Sequence, residues 1–228
     1  ASVAAMSRET RARERGALPT GASAELVNNR LGSGSDYTVF LNHLGIPVAD
    51  LTFDGPYGVY HSIYDNHNWV ARIGDPGFRY HVALVQIWGL ITLRLSNAQA
   101  VPLDYEPYGK RIGEFLNEIS RSPGTPGSLS RSSAFTEVRH ALTAFESAVR
   151  TAGRRREAAL AREEDAAIRA INRAMIAAER SLIDPEGIPG RPWYRHQIYA
   201  PKFTYAPDVL PGIAGAIESG NRPLAEAG

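Results

Sequence analysis

The sequence predicts an α/β domain followed by a helical bundle, and three observations carry that reading. Residues 16–98 hold most of the turn chemistry, with Gly32-Ser-Gly-Ser-Asp36, Asp54-Gly55-Pro56 and Asp75-Pro76-Gly77 dividing the chain into short apolar segments. From Leu103 onward, apolar residues recur at three- and four-residue spacing over long stretches, as amphipathic helices require. With 228 residues, 43% of them hydrophobic, the chain can bury a real core in one large domain or two small ones. The expected division is 1–98 and 99–228.

Taken in order, residues 1–15 read as a helix interior, alanines followed by Arg and Glu at helical spacing with no capping residue ahead, so the true start is expected to lie upstream of Ala1. The Gly32-Ser-Gly-Ser35 turn then opens an amphipathic helix over 37–44, with Ser35 or Asp36 as its cap. The longest apolar run, 82–93, is a helix or a strand, is interrupted by Gln86 and is too short to span a bilayer. Three helices follow, over 105–119, 134–161 and 162–183, the last with Ala167, Ile171, Met175, Ile176 and Leu182 as its buried stripe. Ser122-Pro-Gly-Thr-Pro-Gly-Ser128 is a loop, and Arg154-Arg155-Arg156 belongs to a solvated helix face. Residues 184–192 carry too many prolines and glycines for regular structure. They lead into Trp193-Tyr-Arg-His-Gln-Ile-Tyr-Ala-Pro201, whose aromatics must pack on something, so the segment reads as an ordered loop.

Composition narrows the function. With 25 basic against 24 acidic side chains there is no global field to recruit nucleic acid or an anionic membrane, and neither is expected as a partner of this segment. The absence of cysteine rules out disulfides and thiolate zinc sites, so any metal must be held by imidazole and carboxylate. The N-terminus lacks the apolar core of a signal peptide.

The densest chemistry lies in Tyr57-Gly-Val-Tyr-His-Ser-Ile-Tyr-Asp65. The His61 imidazole can ligate zinc, and a neighbouring tyrosine can donate a hydrogen bond to an oxyanion. No HExxH spacing occurs in the chain, and a lone histidine among tyrosines also packs as a hydrogen-bonded structural residue. Local sequence leaves both an active-site loop and a half-buried strand end open. The Gly32-Ser-Gly-Ser35 loop permits close backbone approach to a ligand but has neither the P-loop lysine nor a GxGxxG pattern. His43, His67, His81 and His140 read as structural or solvent-exposed, and His196 as a hydrogen-bonded residue of the aromatic loop.

Several motifs acquire specificity in combination. The ordered set Leu31-Gly-Ser-Gly-Ser-Asp-Tyr37, Tyr60-His-Ser-Ile-Tyr-Asp65, Asp75-Pro-Gly-Phe-Arg-Tyr-His81, Ile183-Asp-Pro-Glu-Gly-Ile-Pro-Gly-Arg-Pro-Trp-Tyr-Arg-His196, Ile198-Tyr-Ala-Pro201 and Leu210-Pro-Gly-Ile213 resembles the family of glutamate carboxypeptidase II, prostate-specific membrane antigen and the transferrin receptor. The likeness runs from about residue 30 to 218. It implies the C-terminal part of a zinc-exopeptidase α/β domain with two bridged zinc ions, followed by a helical dimerisation domain whose final helix would lie beyond Gly228. By the resemblance, His61 is the last zinc ligand and Tyr60 helps to hold the tetrahedral intermediate. Gly34 and Ser35 belong to the substrate-binding loop, with the Gly34 backbone at the scissile bond, and Tyr205 binds the carboxylate of the substrate's C-terminal residue.

The departures restrict specificity. Thr204 stands where glutamate-specific members have a lysine, Asp50 and Thr52 where they have arginines, and Ser35 where they have an asparagine. Without those cations a side-chain carboxylate on the substrate loses its partners. The resemblance places the remaining ligands and the general base upstream of Ala1, so the fragment alone is expected to be inactive, because a catalytic zinc takes about three protein ligands. It also implies a peptide substrate, a homodimer formed through the helical domain, and an extracellular, periplasmic or membrane-anchored setting. The alternatives are a non-catalytic transferrin-receptor-like scaffold, against which the retained Tyr60-His61 pair argues, and an aminopeptidase of the same lineage, against which Tyr205 argues.

Overall fold

A computed structural model describes residues 30–53, 58–122, 125–127, 132–202 and 205–220. The expected helix over 1–15, the Asp54-Gly55-Pro56 turn, Tyr57 and Thr204 lie outside them. The described residues are mostly helical, with one two-stranded sheet. They fall into two compact units, one containing 50–97, the other combining the segment ending at Ala49 with everything from Ala98 onward.

The larger unit begins with α1 (Tyr37–Leu44). Asp36 occupies its N-cap position without a side-chain cap bond. The turn is closed by the Ser35 carbonyl, which accepts from the Thr38 amide at 3.2 Å and the Thr38 hydroxyl at 2.9 Å. Gly45 ends the helix in the left-handed region, φ 58°, its N–H and that of Ile46 returning to the Leu41 and Phe40 carbonyls. A Cβ at Gly45 would lie 2.5 Å from Arg180 Cα, so only glycine lets these backbones meet.

Three helices form the body of this unit: α4 (Glu106–Arg121), α5 (Ser133–Ala161) and α6 (Asp165–Arg180), with α5 packed against both others. Each has local reasons to form. Glu106 in the first turn and Arg121 in the last complement the α4 dipole, and proline is accommodated at its start. Ser132 caps α5 by accepting from the Phe135 amide at 3.3 Å. The long apolar pattern breaks between α5 and α6 at Glu163, which takes φ 55°. The predicted stripe on α6 is partly corrected: Ile168 and Met175 are buried with Glu179, whereas Ile176 faces solvent. The triplet 154–156 is likewise divided, with Arg154 and Arg155 exposed and Arg156 reaching the Leu103 carbonyl at 2.9 Å.

The irregular stretch after α6 is ordered by its own backbone. Asp184 N–H donates to the Arg195 carbonyl, Ile188 N–H to Tyr194 and Gln197 N–H to Leu182, at 2.8–2.9 Å. It feeds β1 (Tyr199–Pro201), which pairs antiparallel with β2 (Pro207–Val209) in the register Tyr199 with Val209. Arg191 fastens the hairpin, donating to the Pro201 carbonyl at 2.9 Å and to Asp208 Oδ2 at 2.6 Å. The chain then turns into α7 (Pro211–Glu218). The core joins Phe115 and Leu116 of α4 and Phe135 of α5 to Leu41, Ile198, Tyr199, Val209 and Ile213.

In the other unit, the segment 60–66 is a run of turns and no strand, so the strand-end reading of the histidine motif is set aside. Asn66 caps a short α2 (His67–Trp69) that widens into a π-turn over Val70–Gly74. The apolar run 82–93 proves to be the interior of a helix, α3 (Arg79–Asn97), whose start is organised by Asp75. That carboxylate accepts from the Tyr80 and His81 amides, each at 3.0 Å, and lies 2.7 Å from His81 Nδ1. Burial raises its pKa, but the His81 side-chain bond and the two amide bonds outweigh burial and hold it below the ordinary value. None of the α3 side chains is buried, although Val85, Trp88, Leu90 and Leu93 are all apolar. Among the described residues no helix is long and apolar enough to cross a membrane.

Candidate functional site

The loop Gly32-Ser-Gly-Ser35 and the start of β2 meet directly. A Cβ on Gly34, where φ is 96°, would lie 2.8 Å from Tyr205 Cδ1 and 3.0 Å from Cγ. A Cβ on Gly32 would lie 2.5 Å from the Tyr205 carbonyl oxygen and 2.9 Å from the Pro207 nitrogen. The two glycines therefore form a surface without side chains against which Tyr205 rests. Tyr205 is 53% exposed, with the Cδ1 edge of its ring against Gly34. Ser35 is half-buried beside them, its carbonyl engaged by Thr38.

Tyr60 and His61 stand in the turn segment of the other unit. Their rings stack at 3.9 Å with an interplanar angle of 18°, and both are exposed. His61 takes φ 60°, a strained region for a residue with a Cβ. The next residue steadies the turn, Ser62 donating from its hydroxyl to the Val59 carbonyl at 2.7 Å. Among the described residues no three His, Asp or Glu side chains converge into a metal-binding group. His61 is a single donor, and the described residues do not by themselves fit a zinc ion, which needs further ligands.

A third cluster is buried in the helical unit. His196 is fully buried; its Nδ1 accepts from the Ile198 and Tyr199 amides at 3.1 Å, which leaves Nε2 to carry the hydrogen toward Glu179 Oε1 at 2.9 Å. The Tyr108 hydroxyl donates to the same oxygen at 3.3 Å, and the Tyr105 hydroxyl to the Met175 carbonyl at 2.9 Å. Burial, reinforced by the Glu179 charge, pushes the Tyr105 phenol up to about 12 and raises Tyr108 and Tyr199 as well. The structural reading of His196 thus holds. Its partner Glu179 is missed by sequence reasoning, although a glutamate four residues after Met175 on the same helix face was the available signal.

Residues 133–227 match the transferrin receptor-like dimerisation domain. A probable glutamate carboxypeptidase of Arabidopsis thaliana is 32% identical over 205 residues, 89% of this chain and 29% of the relative. One from Zea mays is 33% identical over 80% of this chain and 26% of its own length. An aminopeptidase of Mus musculus is 31% identical over 86% of this chain and 28% of its length. The chain spans under a third of the length of these relatives. By its matched domain and these likenesses, the chain carries a transferrin receptor-like dimerisation domain and is similar over most of its length to the C-terminal part of the glutamate carboxypeptidase-like peptidases.

Proposed function

We propose that this chain is the C-terminal portion of a zinc-dependent exopeptidase that removes C-terminal residues from peptides and pairs with a second copy through residues 99–228. The observation that carries the reading is the seating of Tyr205 on Gly34. Two residues 171 positions apart (205 less 34), to which the family resemblance gives the terminal carboxylate and the scissile bond of one substrate, are neighbours in space.

Each residue then has a definite task. The Tyr205 phenol donates to the terminal carboxylate of the peptide, a charge-assisted bond that a blocked terminus cannot make. The Gly34 backbone approaches the scissile bond closely because it has no Cβ. The Tyr60 phenol donates to the oxygen on which negative charge develops. His61 contributes one imidazole to a zinc site completed by ligands beyond the described residues. Zinc in such sites supplies a nucleophilic water at neutral pH.

A second reading has its own support. A protein of Schizosaccharomyces pombe named an inactive zinc metalloprotease is 28% identical over 90% of this chain, so the fold also resembles a member described as inactive. The discriminating experiment is elemental analysis of the full-length gene product beside its His61→Ala form. Bound zinc that falls with the substitution, together with peptidase activity, supports the enzyme; no zinc in either form supports a dimeric scaffold.

A further inference from the structure

We propose that Gly32 is a positioning residue for Tyr205, and that Gly32 and Gly34 together form a seat that sets the preference for a free over a blocked peptide C-terminus. The inference rests on the carboxylate role given to Tyr205 above. The two contacts act on different parts of one residue. Gly32 is buried against the main chain at 205–207, where the closest atoms are the Tyr205 carbonyl oxygen, the Pro207 nitrogen and the Ala206 carbonyl carbon. None of these can rotate aside. An added methyl there moves the whole start of β2, which is fixed at its other side by pairing with β1 and by Arg191 on Asp208. Gly34 instead meets the ring itself along its Cδ1, Cγ and Cε1 edge. One glycine therefore fixes where the Tyr205 backbone lies, the other fixes the tilt of its ring, and the position of the hydroxyl follows from both.

The alternative is that the glycines serve only the turn. Gly32 argues against that, since it has no positive φ to require glycine and its constraint is the approach of the 205–207 backbone. Gly34 has both reasons, a φ of 96° and the ring.

The test uses the full-length gene product and one short peptide in two forms, free acid and C-terminal amide, with binding measured by calorimetry and turnover by product release. Losing a hydrogen bond to a charged group corresponds to about a 10- to 100-fold weaker interaction. Tyr205→Phe is expected to abolish the preference for the free acid. Gly32→Ala is expected to weaken free-acid binding about tenfold, to raise KM more than it lowers kcat, and to leave the amide unaffected, whereas Gly34→Ala, which also alters the backbone at the scissile bond, is expected to weaken both forms and the free acid more. A Gly34→Ala/Tyr205→Ala double variant separates the seat from the turn, because removing the ring removes the clash. Behaviour equal to Tyr205→Ala alone supports the seat, whereas additive losses, or equal losses on acid and amide, overturn it. If Tyr205→Phe leaves the preference intact, the carboxylate role of Tyr205 fails and the seat with it. If only the double variant is additive, the carboxylate role stands and the seat alone fails.

Discussion

Glu179 on α6 and His196 in the segment that follows it meet at 2.9 Å in the interior, the histidine with no exposed surface at all. Both ring nitrogens are used, Nδ1 by two backbone amides and Nε2 by the carboxylate, so this one side chain joins a helix to the entry of the β hairpin. Replacing His196 by alanine leaves two amides and a buried carboxylate short of a partner. The expected cost is about 3–5 kcal/mol, read from the shift in a denaturant midpoint, while Glu179→Gln, which keeps an acceptor in place, costs less. A midpoint unchanged by His196→Ala would show that the bond does not hold the hairpin.

The tyrosines around that pair predict alkaline behaviour. Tyr105, Tyr108 and Tyr199 all have pKa values raised above the ordinary 10.0. A raised folded-state pKa means that their stabilising contribution is fully present below pH 10 and is lost as pH rises through the folded values, about 12 for Tyr105. Denaturation midpoints are expected to hold steady up to about pH 10 and to fall above it. Tyr108→Phe should blunt that fall, and a fall of unchanged steepness would remove Tyr108 from the account.

Asp75 predicts the opposite edge of the pH range. Its pKa is lowered, so the contribution is present above the ordinary carboxylate value of 3.8 and is lost as pH falls through the lower folded one. The Tyr80 and His81 amide resonances should titrate with a midpoint below 3.8 and should lose that titration in Asp75→Asn. A midpoint at or above the ordinary value contradicts the bonding at the start of α3.

Tyr60 predicts a kinetic signature. If its phenol meets charge that develops only during reaction, Tyr60→Phe lowers kcat by about 10²- to 10³-fold in the full-length gene product, with KM changed little. Equal changes in both would instead make Tyr60 a ground-state binding residue.

The helices were readable from the chain because their causes are local. Apolar spacing marks α4, α5 and α6 to within a few residues. The same logic misplaced Ile176, because a spacing pattern permits two adjacent faces and only the neighbouring α5 decides which one is covered. It also missed Glu179, since a charged residue on an apolar stripe looks like an interruption until its histidine partner is seen.

By itself, then, the sequence determined the helix after the Gly32-Ser-Gly-Ser35 turn, the three helices from 105 onward, the ordered character of the 184–197 loop, and, through its motifs, the likeness to the peptidase family. Only the tertiary structure decided that Tyr205 rests on Gly32 and Gly34, and that His196 is spent on Glu179 and two amides. The reason is physical: helix propensity and turn chemistry act over a few neighbouring residues, whereas the closeness of a glycine to a ring 171 positions away (205 less 34) depends on how separate elements pack.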